Sequence, residues 1–208
     1  NGAFMRTRER ARRLGTRLVA TSRALGANAV GLVTDMNWPL GQAVGNSLEV
    51  REACETLKGG GPPDTRELTL ELAAEMLHRA GAASSVAEGR ERAARALDSG
   101  RAWEKWLELV RAQGGEPKAV ESPTGLEAAP VVVPVRAGRD GFVAGCDCYA
   151  LGELVVALGG GRRAKEDRID PRVGIVVTCA PGTRIAEGEP LAVLHLSHDD
   201  AEAVARAR

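Results

Sequence analysis

The segment Gly159-Gly160-Gly161-Arg162-Arg163 joins a flexible backbone to two guanidinium groups, which are ingredients of a phosphate-binding loop. A P-loop, however, ends in Gly-Lys-Ser or Gly-Lys-Thr and continues into an apolar helix. This segment lacks that ending and continues into the charged run that contains Lys165, Glu166 and Asp167. Two interpretations therefore stay open: a structural loop, and a loop that contacts phosphate directly.

The cysteine and histidine residues are the next candidates for chemistry, as ligands of a metal. The cysteines are Cys54, Cys146, Cys148 and Cys179. Cys146 and Cys148 are too close together for the usual gap of a zinc site, and no second Cys/His pair follows them. His195 and His198 are three residues apart, with no third ligand placed near them in the sequence. We predict reduced, mostly buried thiols and no zinc site.

The first part of the chain, about residues 8–114, has the pattern of helices interrupted by one strand. Thr7 is a good N-cap for a helix with Leu14, Leu18 and Leu25 on one face, and the apolar run Ala29–Thr34 predicts a strand. Further helices are expected after the caps Asn46 and Asp64 and from about Ser85 to Leu97. Trp103 and Trp106 lie at helical spacing, which favours core packing over a ligand clamp.

Residues 116–129 contain Pro, Gly and acidic residues without periodicity, and predict a linker. Beyond it, short β-branched runs bounded by Gly and Pro predict strands near residues 131–135, 141–143, 174–177 and 190–194, with one helix at about residues 149–158. Gly182 and Gly188 flank Ile185 in a pattern typical of the second half of a barrel-sandwich hybrid. We therefore predict domains at residues 1–115 and 130–208, the second small and rich in β-strands.

Composition limits the classes of partner. The 208 residues carry 28 basic and 28 acidic side chains, and only 3% are aromatic, so neither charge nor stacking favours nucleic acid. No apolar run approaches the roughly 20 residues needed to cross a bilayer. The arginines around residues 6–17 resemble a transit peptide, but the chain opens on Asn1 and its apolar stripe continues into the predicted strand. We expect a cytoplasmic protein in which this chain begins partway along.

Three stretches together carry a resemblance to a known family. They are Gly2-Ala3-Phe4-Met5, the run from Leu32 to Ala53 that contains Thr-Asp-Met-Asn and Gly-Asn-x-Leu-Glu-Val-Arg-Glu-Ala, and the run from Ala150 to Gly174 with its Gly-Gly-Gly-Arg-Arg segment. This pattern resembles the thymidine/pyrimidine-nucleoside phosphorylase family over essentially the whole chain.

The resemblance implies an α/β fold class. The chain would comprise the later half of a nucleoside phosphorylase α/β domain and then a small α+β C-terminal domain with a barrel-sandwich-like element. The family uses inorganic phosphate as co-substrate to cleave the bond between a pyrimidine and ribose or deoxyribose, and requires no organic cofactor. The family's phosphate cradle and its base-binding Arg, Ser and Lys correspond to positions before residue 1. We therefore assign no catalytic residue to this chain and expect it to be inactive alone.

The resemblance also implies roles for five residues. Phe4 matches an apolar wall beside the pyrimidine, and Gly2 lies next to it at the mouth of the cleft. Leu40 and Ala43, through their backbone carbonyls, and Glu52, through its carboxylate, match positions that bind a metal cation in some members. Ligation by oxygen alone suits a hard cation such as potassium or calcium. Packing roles for Phe4 and a solvated surface for Glu52 are the alternatives.

Other functions compete with pyrimidine nucleoside phosphorolysis. A related enzyme of the same architecture, such as an AMP phosphorylase, would share these motifs. A non-catalytic remnant or binding module is a second alternative. A biotin or lipoyl carrier is disfavoured, because Lys165, the only lysine of the β-rich part, does not lie in a carrier motif. Family members are homodimers, so the resemblance implies a homodimeric parent protein.

Overall fold

The computed structural model describes residues 5–122 and 125–206. Five helices follow one another in the first part, and the second to fifth of them pack together as a helical layer. A short sixth helix precedes the β-rich part, and two more helices lie within that part. The bounds are α1 (Arg8–Ala24), α2 (Asn46–Leu57), α3 (Pro63–Arg79), α4 (Val86–Asp98), α5 (Arg101–Ala112), α6 (Lys118–Glu121), α7 (Cys148–Val155) and α8 (Ala201–Arg206).

The strands form two antiparallel sheets. Their bounds are β1 (Ala43–Val44), β2 (Val131–Arg136), β3 (Gly141–Phe142), β4 (Gly174–Val177), β5 (Arg184–Ile185) and β6 (Pro190–Leu196). The larger sheet has the order β1-β4-β6-β2, and the smaller pairs β3 with β5. The four strands expected in the β-rich part are confirmed, and the fold class of mixed helix and sheet is confirmed with them.

The apolar core lies on the larger sheet. Ile175 and Leu194 face each other across β4 and β6 and are at most 1% exposed, as is Leu196. Leu154 and Val155 of α7 complete this cluster by packing on the same face. Alternation of β-branched and leucine side chains along the strands thus provides a surface on which α7 docks.

The predicted strand at Ala29–Thr34 is wrong within the described residues. The segment has no ladder partner there, and Leu32 and Val33 are 42% and 47% exposed. An apolar run can form a strand only where a neighbouring strand accepts its backbone hydrogen bonds. The preceding helix α1 is confirmed with its cap, since Thr7 Oγ1 accepts a hydrogen bond from Arg10 N, but none of its residues is buried.

Two predicted caps differ in the structure. Asn46 is the first residue of α2 and not its cap, because Gly45 precedes it with φ of +140°. Gly45 lies so close to the chain at Val173 and Gly174 that a Cβ there would be 2.7 Å from the Val173 carbonyl oxygen. The Asn46 side chain donates instead to Gly160 O at 2.8 Å. Asp64 similarly lies in the first turn of α3, after Pro62.

The helical layer is held by close packing of α3 on α4. Gly89 of α4 faces Ala74 of α3, which is fully buried, and a Cβ on Gly89 would lie 2.6 Å from the Ala74 carbonyl oxygen. Arg90 adds hydrogen-bonded ion pairs to Glu67 and Glu71 across the same helix pair. The helix predicted from about Ser85 to Leu97 is confirmed, and Ser85 is its N-cap, since its hydroxyl accepts from Glu88 N.

The two parts of the chain are connected through α2 and β1. Strand β1, which belongs to the first part by sequence, pairs with β4 at the edge of the larger sheet. Ser47 N donates to Pro171 O at 2.9 Å, and the Arg51 guanidinium donates to Leu126 O. The segment predicted to be a linker contains α6 and supplies that last acceptor. The domain limits at residues 115 and 130 stay predictions.

None of the helices in the described residues combines the length and apolar character required to cross a bilayer.

Candidate functional site

A cavity of about 400 Å³ lies between the loop before α2 and the first turn of α7. Residues from both halves of the chain line it. They include Met36, Leu40, Ala43, Glu49, Glu52, Thr65, Cys148 and Leu151. The wall is therefore apolar with two carboxylates at one side, which is the composition of a small-molecule site.

The loop of residues 41–45 is fixed by three carboxylates that accept its backbone N–H groups. Glu52 Oε2 accepts from Gln42 N at 2.9 Å and from Ala43 N at 3.0 Å. Glu49 Oε1 accepts from Gly45 N at 2.9 Å, and Asp64 Oδ2 accepts from Gly41 N at 3.0 Å. A loop whose amides are bound in this way is preorganised, because its conformation does not rely on a ligand.

Gly41 is the residue that allows Glu52 to reach this loop. Its φ is +71°, and a Cβ at this position would overlap Glu52 Oε1 and lie 2.9 Å from Thr65 Oγ1. Thr65 Oγ1 is buried and has no hydrogen-bond partner within the described residues. A buried hydroxyl oxygen without a partner beside a carboxylate is an arrangement that an oxygen-liganded cation would satisfy.

The structure brings Leu40, Ala43 and Glu52, the predicted cation ligands, to one end of the cavity. Glu52 is half-buried, so the solvated surface that was the alternative for it does not describe its position. No group of three Asp, Glu, His or Cys side chains in residues 5–122 and 125–206 is arranged to hold a metal. A cation here would depend on backbone carbonyls as well as on Glu52.

Gly2 and Phe4, the predicted substrate-binding residues, lie outside the described residues. The segment that follows them contacts α7, the helix that supplies Cys148 and Leu151 to the cavity wall. The Arg6 guanidinium lies 5.3 Å from the centre of the Tyr149 ring, in the first turn of α7. Such cation–π contacts stabilise modestly at exposed sites, by about 0.5–1 kcal/mol.

The first two glycines of the glycine-rich segment end a π-helical turn, Val156–Gly160, that continues α7, and the charged loop that follows is closed on itself by Asp167. Asp167 Oδ2 accepts from Arg163 N and from Ala164 N, both at 2.9 Å, and these backbone hydrogen bonds lower the pKa of Asp167. The Arg162 side chain donates to Asp167 O at 3.1 Å. The Asp167 carboxylate thus accepts the hydrogen bonds of backbone amides that a bound phosphate would need. This favours the structural interpretation of the loop over direct phosphate contact.

The histidines do not form a metal pair. His195 of β6 is half-buried, and burial, with a smaller effect of the Arg51 charge, lowers its pKa. The His198 ring contacts Ser197 Oγ at 3.0 Å. Of the cysteines only Cys54 is fully buried, while Cys146, Cys148 and Cys179 are partly exposed. All four are free thiols, as predicted, but they are less buried than the sequence indicated.

The sequence did not identify Asp64 as a partner of the loop of residues 41–45, or Thr65 and Cys148 as part of the cavity wall. Asp64 was interpreted only as a helix cap, and Thr65 and Cys148 were given no role there. A carboxylate in the first turn of a helix has an ordinary local explanation, so nothing in the sequence pointed to Gly41 as its partner.

Comparison with known families matches both halves of the chain. A model described as "Glycosyl transferase family, a/b domain" matches residues 1–103, and one described as "Pyrimidine nucleoside phosphorylase C-terminal domain" matches residues 142–208. The cavity lies where these two regions meet, since its lining residues come from both.

Individual relatives agree with the family models. The chain is 44% identical over 210 residues to a thymidine phosphorylase of Sinorhizobium medicae. It is 38% identical over 206 residues to a pyrimidine-nucleoside phosphorylase of Staphylococcus aureus strain bovine RF122 / ET3-1, and 37% identical to that of strain USA300. Each alignment covers 99% of this chain and 48% of the relative, so the chain spans about half the length of these relatives.

Proposed function

Because the chain belongs to the thymidine/pyrimidine-nucleoside phosphorylase family, we propose that its protein catalyses the phosphorolysis of pyrimidine nucleosides. In this reaction a phosphate oxygen bonds to C1′ of the sugar as the bond between C1′ and the base breaks. The products are the free base and ribose 1-phosphate or deoxyribose 1-phosphate. The observation that carries the proposal is similarity to two named phosphorylases along 99% of the chain.

The cavity gives this chain a role in binding and not in bond cleavage. Its apolar wall and preorganised loop can hold one side of a small planar ligand, and Phe4 would add an apolar surface beside the pyrimidine, with Gly2 allowing close backbone approach. No catalytic residue is assigned among residues 1–208. The cationic groups that phosphate requires would come from outside the cavity walls described above.

A cation at the loop of residues 41–45 belongs to the same proposal. Leu40 and Ala43 would supply carbonyl oxygens and Glu52 its carboxylate, in support of which Thr65 Oγ1 is buried without a partner nearby. Oxygen donors with one formal negative charge favour a monovalent ion such as potassium, with calcium as the alternative. Bound there, the cation would hold the loop at the end of the cavity in one conformation.

The role of the cation can be tested at Glu52. The activity of the unmodified protein is expected to rise when potassium chloride replaces choline chloride, and Glu52→Gln should abolish that response. Glu55→Gln is the matched control, because Glu55 lies on the same helix and, among the described residues, its carboxylate pairs with Lys58 alone, at 3.5 Å. An equal potassium response in both variants would contradict the assignment.

We place the protein in the cytoplasm as a homodimer. Four cysteines without a disulfide fit a reducing compartment, and the homodimer is what the family resemblance implies.

The central experiment measures release of free base from thymidine, deoxyuridine, uridine and AMP by the full-length protein, with and without inorganic phosphate. We expect phosphate-dependent release of thymine or uracil, and no release from AMP. Faster cleavage of AMP than of any nucleoside would establish the related nucleotide phosphorylase instead. Absence of any phosphate-dependent release would leave the family membership intact and refute the activity.

A further inference from the structure

Three of the four thiols lie close together where the β-rich part meets the cavity. Cys146 and Cys148 flank Asp147 immediately before and at the start of α7, and Cys179 follows β4. Hydrogen bonds from Val143 N to Thr183 O and from Gly182 N to Val143 O, at 2.9 and 2.8 Å, hold the two chain segments side by side. Burial raises the pKa of the Cys146 thiol to about 11, and the adjacent Cys148 and Cys179 thiols add to that shift.

The fourth thiol is different in both position and exposure. Cys54 lies on α2 and is 3% exposed, whereas the three clustered thiols are all partly exposed. Cys148 in addition is one of the residues that line the cavity of about 400 Å³. An accessible thiol beside a second cysteine that can resolve a mixed disulfide is the arrangement found in redox-active sites. The raised pKa of Cys146 disfavours its thiolate, so the first attack falls to Cys148 and Cys146 acts second.

We propose that Cys146 and Cys148 form a reversible disulfide when the protein meets a low-molecular-weight disulfide such as glutathione disulfide. The Cys148 thiolate attacks one sulfur of the oxidant and releases one thiolate, leaving a mixed disulfide on Cys148. The Cys146 thiolate then attacks the Cys148 sulfur and releases the second thiolate. The protein loses two protons and two electrons, and the oxidant is reduced to two thiols.

This bond would change the first turn of α7. In the reduced protein Asp147 caps the helix, since its Oδ1 accepts from Tyr149 N and from Ala150 N, both at 3.0 Å. A disulfide across a single residue fixes the separation of the two cysteines and the torsion about the S–S bond, so it would constrain the backbone of Asp147 and with it the cap. Loss of the cap would move Cys148 and Leu151, which both line the cavity.

The consequence for catalysis rests on the proposed function. Because the cavity wall moves, the oxidised protein should cleave thymidine more slowly than the reduced protein, with full recovery after treatment with dithiothreitol. We expect a loss of about tenfold or more, since small displacements of binding groups cost that much.

The test of the disulfide itself does not depend on activity. The full-length protein is incubated with glutathione disulfide, unfolded, alkylated and digested. We expect a mass loss of about 2 Da from the joining of two thiols, and a cross-linked peptide containing Cys146 and Cys148. Cys146→Ser should instead retain glutathione on Cys148, and Cys148→Ser should prevent both products, with Cys148→Ala as a second variant if the serine form does not fold.

Cys54→Ser and Cys179→Ser are the matched controls and should form the bond as the unmodified protein does. A bond between Cys146 and Cys179, or free alkylation of Cys146 and Cys148 after incubation, would overturn the proposal. If the bond forms and activity is unchanged, the effect on the cavity is refuted. If the reduced protein has no phosphorolytic activity, the proposed function fails while the disulfide stands.

Discussion

Replacing Gly41 by alanine is expected to destabilise the protein more than an ordinary glycine substitution. Two effects combine at this position. The φ of +71° costs an L-amino acid about 1–2 kcal/mol. In addition, the new Cβ overlaps Glu52 Oε1, so the carboxylate must move away from the loop.

The second effect can be given a magnitude from the contacts that would be lost. The Glu52 carboxylate accepts hydrogen bonds from Gln42 N and Ala43 N, and hydrogen bonds to a charged group contribute about 1.5–3 kcal/mol each in favourable cases. The loop is partly exposed, so water would replace part of this loss. We expect Gly41→Ala to lower the free energy of unfolding by about 3–4 kcal/mol in total.

Gly59→Ala separates the two effects. Gly59 also has a positive φ, +92°, but a Cβ there would have no atom within 4 Å. Its substitution should therefore cost only the backbone term of about 1–2 kcal/mol. Urea unfolding at constant m-value would measure both variants.

A double-mutant cycle with Glu52→Ala tests the stated cause. In the Glu52→Ala background, Gly41→Ala should cost less than it does in the unmodified protein, because only the backbone term and the contact with Thr65 Oγ1 at 2.9 Å remain. Equal losses for Gly41→Ala and Gly59→Ala in the unmodified background would refute the reasoning, as would a Gly41→Ala cost that Glu52→Ala leaves unchanged.

Two further predictions concern helix α4, with Gly152 of α7 as the comparison for the first. Gly89→Ala should destabilise the protein by about 1–3 kcal/mol, because its Cβ meets the backbone carbonyl of Ala74 and neither helix can give way without separating. Gly152→Ala, in a helix with open space around it, should be neutral or stabilising by up to about 1 kcal/mol, and thermal unfolding compares the two. Hydrogen bonds from the hydroxyl and amide of Ser84 lower the pKa of Glu88 to about 2. The stability they provide is fully present above the unfolded pKa of about 4.3 and is lost as the pH falls toward 2. Glu88→Gln should make the free energy of unfolding, measured with urea, less dependent on pH over that range. An unchanged loss of stability between about pH 4 and about pH 2 would contradict this prediction.

The elements were largely predictable because their signals are local. Thr7 and Ser85 cap helices through hydrogen bonds to residues three positions on, and such bonds form whatever surrounds the helix. The strands of the β-rich part were likewise evident from β-branched runs between turn residues. The prediction of a strand at residues 29–34 was wrong because an apolar run indicates only a propensity for extended structure. A strand also needs a neighbouring strand to accept its backbone hydrogen bonds.

The candidate site, like the fold, was predicted only in part. The resemblance selected Leu40, Ala43 and Glu52, and the structure brings them to one end of a cavity, while Gly2 and Phe4 stay untested. Asp64 and Thr65 were not identified, because their contacts with Gly41 join residues on different elements.

The sequence by itself determined the family, the helices and most strands, since motifs and periodicity are properties of neighbouring residues. Only the tertiary structure decided that β1 joins the β-rich sheet, that three carboxylates bind the loop of residues 41–45, and that Cys179 lies beside Cys146 and Cys148. The physical reason is that each of these contacts depends on how distant segments pack, and packing geometry leaves no periodic trace in the sequence.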